Sequence, residues 1–180
     1  MGTNGYLGPA SDIVALLTFE HQTQMTNLIT RLGWEARIAD DEPRTAAITP
    51  AIQSSIDALV AYMLFAGEPP LRDPVEGVSS FTRTFAERGP RDHKGRSLRE
   101  FDLRTRLFRY PLSYMVYDAA FDALPGPVLD QVYRRLFDVL TARYGDSRTF
   151  ARLTPADRRS ILEILRDTKS NLPAYWRAAP

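Results

Sequence analysis

Apolar side chains return every three or four positions near the start of the chain. Val14, Leu17, His21, Met25, Leu28 and Leu32 are spaced 3-4-4-3-4, the period of a helix with one face turned inward. Ser11 is a good N-cap and Asp12 suits the positive end of a helix. The pattern predicts a first helix over about 12–32, stopped by Gly33 as a C-terminal cap. A resumption through "WEARIA" and a turn at "DDEPRTAAI" follow. Thr49-Pro50 predicts the next start, a cap with proline at the first helical position. That helix runs to about Phe65, buries Ile52, Ile56, Leu59, Val60, Met63 and Leu64, and ends at Gly67.

Farther along, "EPPLRDPVEG" has too many prolines for regular structure. "SSFTRTFAERG" predicts a short helix. Ser97 with Glu100 three residues later has the spacing of a capping box, and predicts another. "RLFRYPLSYMVYDAAFDAL" is the most apolar segment, with Tyr114, Tyr117 and Phe121 at helical spacing. Pro111 begins a helix there or kinks one. "PVLDQVYRRLFDVLTARYG" and "TPADRRSILEILRDTK" complete the set, and the tail "NLPAYWR" is expected to fold back over the body. No stretch alternates with period 2. The expected fold is all-α: a single-domain irregular bundle of about five to seven helices with long Pro-rich loops over 11–180, after a flexible lead at 1–10.

Beside the apolar seam of the first helix lies a second stripe: Ile13, Leu16, Glu20, Gln24, Asn27 and Arg31. Its first two residues are apolar and its last four polar. An interior polar network is the favoured reading, with Arg104, Arg106 or Arg109 as partners, because a buried polar group without a partner costs roughly 1–3 kcal/mol. A ligand site and a solvent-exposed face are the alternatives. His21 and Met25 stand four apart within the seam. Imidazole and thioether can together hold haem iron or another metal; a core histidine beside a gap-filling methionine is the plainer reading.

Composition narrows the chemistry. The 180 residues contain no cysteine, which removes disulfides, thiolate metal sites and C-x-x-C-H haem attachment. The chain lacks the glycine-rich phosphate loop, G-x-S-x-G, S-x-x-K and H-E-x-x-H motifs. No apolar run is long enough to span a bilayer, and "MGTNGYLGPASD" has no signal-peptide pattern. Net charge is +1, but residues 1–82 carry 4 basic and 10 acidic side chains, and residues 83–109 carry 9 and 4. The basic middle is expected to dock on the acidic first part. Residues 91–109 could alternatively grip an anion or a nucleic acid, with Phe101, Phe108 and Tyr110 interleaved among arginines.

Four segments together, "SDIVALLTFEHQTQMTNLITR", "RDHKGRSLREFDLRTRLFRYPLSYMVYDAAFDALP", "VYRRLFDVL" and "RRSILEILRDTK", carry a resemblance over about residues 10–177. The chain resembles the C-terminal helical region of exported bacterial cytochrome-c-like proteins, which often bear a haem-c motif nearer their N-terminus. The resemblance implies a periplasmic setting and a c-type cytochrome domain as partner. Glu20, His21, Gln24 and Met25 match, whereas Thr26 stands where members of that family often have histidine. A metal site using that histidine is incomplete here. The expected function is a non-catalytic structural or interaction module; a haem- or metal-binding redox protein using His21 with Met25 or Glu20 is the alternative.

Overall fold

The computed structural model describes residues 12–41, 48–143 and 148–178. The lead at 1–10, the Ser11 cap and the turn at 42–47 lie outside the described residues. Within them every regular element is helical, and the only extended pairing is an isolated antiparallel bridge between Phe101 and Phe108. The fold is all-α, as the hydrophobic periodicity requires.

Helix α1 spans Ile13–Asp41. Asp12 starts it, its carboxylate accepting from the amides of Val14 (2.9 Å) and Ala15 (3.2 Å). The expected stop at Gly33 is not used. Gly33 sits inside the helix, where a β-carbon would lie 3.2 Å from an Arg37 nitrogen and 3.6 Å from a Leu124 methyl. The glycine admits a neighbouring segment closely instead of ending the helix.

Helix α2, Pro50–Met63, has the predicted Thr49 cap, its hydroxyl accepting from the Ile52 amide at 3.2 Å. It ends earlier than Gly67, in a Schellman turn. The Phe65 amide donates to the Tyr62 carbonyl (3.1 Å) and the Ala66 amide to the Ala61 carbonyl (2.9 Å). Phe65 itself takes the left-handed conformation usually given to glycine, φ 53°.

Helix α3 is Phe81–Glu87. Glu100 accepts from the Ser97 amide as in a capping box, but the Ser97 hydroxyl accepts from the Arg99 amide instead, and only a single turn follows. The apolar segment after it is not the expected long helix. Pro111 has no amide to give and biases Tyr110 away from helical geometry. The chain forms a 3₁₀ turn at Tyr114–Tyr117 and a short helix α4 at Ala119–Asp122. Ser113 instead donates its amide across to the Met63 carbonyl, 2.8 Å away.

Helix α5, Gly126–Leu140, and helix α6, Pro155–Thr168, lie close to their predicted spans. The α6 start is a full capping box between Thr154 and Asp157. The tail turns into α7, Tyr175–Ala178, and Trp176 is fully buried against Tyr133 and Phe137. In the core, α2 packs between α1 and α5, α6 packs on α5, and α3 and α4 both touch α1. No helix is long and apolar enough to cross a membrane, among the described residues.

The basic middle packs on the first part of the chain, but among the described residues its arginines do not pair with the acidic groups there. Arg96 pairs with Asp92 and Glu163, Arg106 with Asp157, and Arg109 with Glu100. Those carboxylates lie within the middle itself or on α6, which folds over it.

Candidate functional site

Helix α1 has two faces with different chemistry. Inward, Val14, Met25, Ile29, Leu32 and Ala36 enter the core, and His21 goes with them at 2% exposure. Its ring stacks on Tyr62 and Phe65 from the end of α2, with centroids 5.2 and 4.5 Å away and planes 12° and 21° apart. Phe108 and Tyr114 complete the cage at steeper angles.

The one polar contact of the ring is between Nε2 and the Ser113 hydroxyl oxygen, 2.8 Å. That oxygen also accepts from the Met115 amide at 3.2 Å. The arrangement satisfying most groups has Ser113 donating its proton to Nε2. Nδ1 is then left buried without a partner. Desolvation pushes the imidazole down to about 4, so the ring is neutral at physiological pH.

A serine bonded to a histidine is the start of a nucleophilic pair, and Ser113 was not singled out by the sequence. The signal was a lone serine inside the aromatic and apolar run "YPLSYMVY". Here the pair does not suit catalysis. Both residues are buried, no carboxylate orients Nδ1, and an imidazole at about 4 is too weak a base to draw off the serine proton. It is a tie between α1 and the segment after Pro111.

The interior network expected around His21 is not formed. Glu20, Gln24, Asn27 and Arg31 are all exposed, outside the core-facing seam of the helix, with Glu20 and Gln24 beside Tyr62 at the end of α2. Arg31 bonds Glu35 within α1 at 2.7 Å. Arg104 is exposed, and Arg106 and Arg109 bond elsewhere, so none of the three reaches α1. The stripe is a solvent-facing one because α2 and the Pro111 segment cover only the His21 side.

His21 and Met25 do share the buried face, yet a haem or metal does not fit them. Nε2 is committed to Ser113, the ring is closed in by four aromatic side chains, and Glu20 points to solvent.

Among the described residues, one group of three His, Asp or Glu side chains brings its ligand atoms within 4.8 Å of one another: Asp92, His93 and Asp167. Both oxygens of Asp92 and one of Asp167 are already engaged. Asp92 accepts from the Lys94 amide (3.0 Å), the Arg96 amide (2.8 Å) and Arg96 Nε (2.7 Å). Asp167 accepts from the His93 amide and is bonded to its ring. Lys94 and Arg96 both reach Glu163, at 2.8 and 2.6 Å. Arg96 already balances the Asp92 carboxylate, and with the Lys94–Glu163 and His93–Asp167 contacts the cluster clasps the 91–97 turn to α6.

Phe101 and Phe108 stack on each other at 5.1 Å and join Phe81 and Phe85. They are unavailable as a platform for bases, so the arginine-aromatic run lacks the stacking half of a nucleic-acid reader.

A cleft of about 350 Å³ opens where α2 ends. Phe65, Pro69, Pro111 and Phe150 form its apolar wall, with Glu68 and Arg152 on its rim. Burial first, and then the nearby charge of Glu20, pushes the Glu68 carboxyl up to about 6.

The outer face of α1 stands out from the rest of the surface. Ile13, Leu16, Phe19, Trp34 and Ile38 are 45%, 51%, 67%, 63% and 57% exposed on this one helix. Val78, 69% exposed, extends the patch at the N-terminal end, where Ser79 donates its amide to Asp12 at 3.0 Å. Single exposed apolar residues are ordinary; five large ones on one helix are not.

Comparison with known proteins finds no matching family model, no matching curated protein and no matching solved structure.

Proposed function

We propose that the chain is a non-catalytic helical interaction module, and that the outer face of α1 is its contact surface. One observation carries this reading: five large apolar side chains are displayed along a helix whose opposite face is anchored in the core. The inner face, tied by His21 to Ser113, holds α1 in place. The helix therefore meets a partner already ordered, which lowers the entropy cost of association.

The resemblance to exported cytochrome-c-like proteins adds a c-type cytochrome domain as a partner to test. A photoreactive phenylalanine analogue at position 16 or 34 should cross-link in cells into a discrete adduct. The same analogue at exposed Arg83, on α3, should not. Haem absorbance in the adduct would identify a cytochrome, and a mass of two chains would identify self-association. Equal yields from positions 16, 34 and 83 would remove the reading.

A further inference from the structure

One stripe along the exposed side of α1, bordering α2 at Glu35 where the Ser55 hydroxyl donates to its carboxylate, reads almost the same from either end. Positions 13, 16, 20, 24, 27, 31, 35 and 38 are spaced 3-4-4-3-4-4-3, which is a palindrome. The mean step is about 3.6 residues, so the stripe stays on one side of a straight helix. Laid antiparallel on a copy of itself, the stripe matches Ile13 with Ile38, Glu20 with Arg31 and Gln24 with Asn27. Leu16 then lies beside Trp34 and Glu35. Apolar ends meet apolar ends, an acid meets a base twice, and two amides meet at the centre.

The charges make the match specific. The Glu20 carboxylate is exposed and has no hydrogen bond or ion pair among the described residues. Arg31 uses Nε on Glu35, and among the described residues its two terminal nitrogens have no partner. Eleven residues separate Glu20 from Arg31, about 16 Å along the axis, too far to pair within one helix. Parallel alignment in register would set Glu20 against Glu20 and Arg31 against Arg31. Antiparallel alignment converts both repulsions into attractions, and the exposed threonines 23, 26 and 30 leave room for close approach.

We infer that the partner on this face is a second copy of the chain, joined through an antiparallel α1–α1 contact about a two-fold axis near residues 25 and 26. A contact of this kind is isologous, one surface used twice, and closes at two subunits. It rests on the reading of α1 as an interaction surface and names the occupant.

Sedimentation equilibrium of the purified chain tests it, with circular dichroism to verify that each variant is folded. The wild type should be dimeric at micromolar concentration. Glu20→Arg and Arg31→Glu should each raise the dissociation constant at least tenfold, and the double variant should recover most of that loss. Because the chain has no cysteine, Gln24→Cys chains mixed with Asn27→Cys chains should form a disulfide-linked dimer on oxidation in higher yield than either variant alone. A monomer at 100 µM, or a dimer indifferent to both charge changes, would overturn the inference. Position-specific cross-links from 16 and 34 to another protein in that case would leave the interaction reading standing. Their absence would remove both.

Discussion

His21 decides how this protein responds to acid. The unfolded ring takes its proton near pH 6.5, the folded ring near 4. Between those values the unfolded chain holds the extra proton, so stability rises with pH and is lost as pH falls through the window. The full difference is about 3 kcal/mol. Around the ring, Ser113 and Tyr114 stay neutral there, and Tyr62, raised by burial, does too. Glu68 works the other way: its folded carboxyl keeps a proton up to about 6, so its share of stability grows on acidification. Comparing wild type with His21→Leu cancels Glu68, because both carry it. Urea unfolding at pH 7 and pH 4.5 should show the wild type losing about 2–3 kcal/mol more than the variant. Parallel losses would mean that the ring is not buried as described.

At the scale of elements, the end of α2 shows a residue chosen for its side chain over its backbone. Phe65 holds a left-handed conformation that costs a non-glycine residue about 1–2 kcal/mol. Its ring stacks on His21 and on Phe108, and also walls the cleft. Glycine and alanine at this position both lose the ring, and differ only in the β-carbon. Phe65→Gly should therefore be more stable than Phe65→Ala by about 1 kcal/mol, the reverse of the order inside a helix. Denaturant midpoints of the two variants check this, and an alanine variant as stable as the glycine one would contradict the left-handed turn. The same logic explains α1: its length comes from packing, since Leu124 approaches Gly33 closely and the helix continues past it.

Over the whole molecule, the turn at 91–97 fastens two distant parts of the chain. Asp92 and Arg96 bind each other, and Arg96 reaches Glu163 on α6. Asp92 is held below its ordinary value against the desolvation that opposes it, by the Arg96 side chain and by the Arg96 and Lys94 amides. The hydrogen bonds of Lys94 and Arg96 likewise hold Glu163 low. Such depressed carboxyls contribute stability above the usual carboxylate range, lost as pH falls through their lowered values. The Asp92 side chain is fully buried and that of Arg96 nearly so, whereas Lys94 is half exposed. Arg96→Ala strands a buried carboxylate and should cost about 3 kcal/mol. Lys94→Ala should cost less than about 1 kcal/mol. Thermal unfolding of the two variants separates them, and equal losses would show that the clasp is a surface pair.

The helical class, the Thr49 and Thr154 starts, the spans of α5 and α6 and the burial of Trp176 are all legible in one dimension. Each depends on local spacing, a cap or a side chain too apolar to stay wet. The inward seam of α1 was legible for the same reason. Which way its second stripe faces was not: Glu20, Gln24, Asn27 and Arg31 are polar whether buried or wet, and only the placement of α2 and the Pro111 segment decides between the two. The arginines at 106 and 109 found carboxylates on α6 and at Glu100 because α6 folds over the basic middle, a choice no charge count contains. Ser113 meets His21 across 92 residues of chain. Periodicity determines which face of a helix is apolar; the packing of distant segments determines which polar groups are covered, and therefore which surface remains open to a partner.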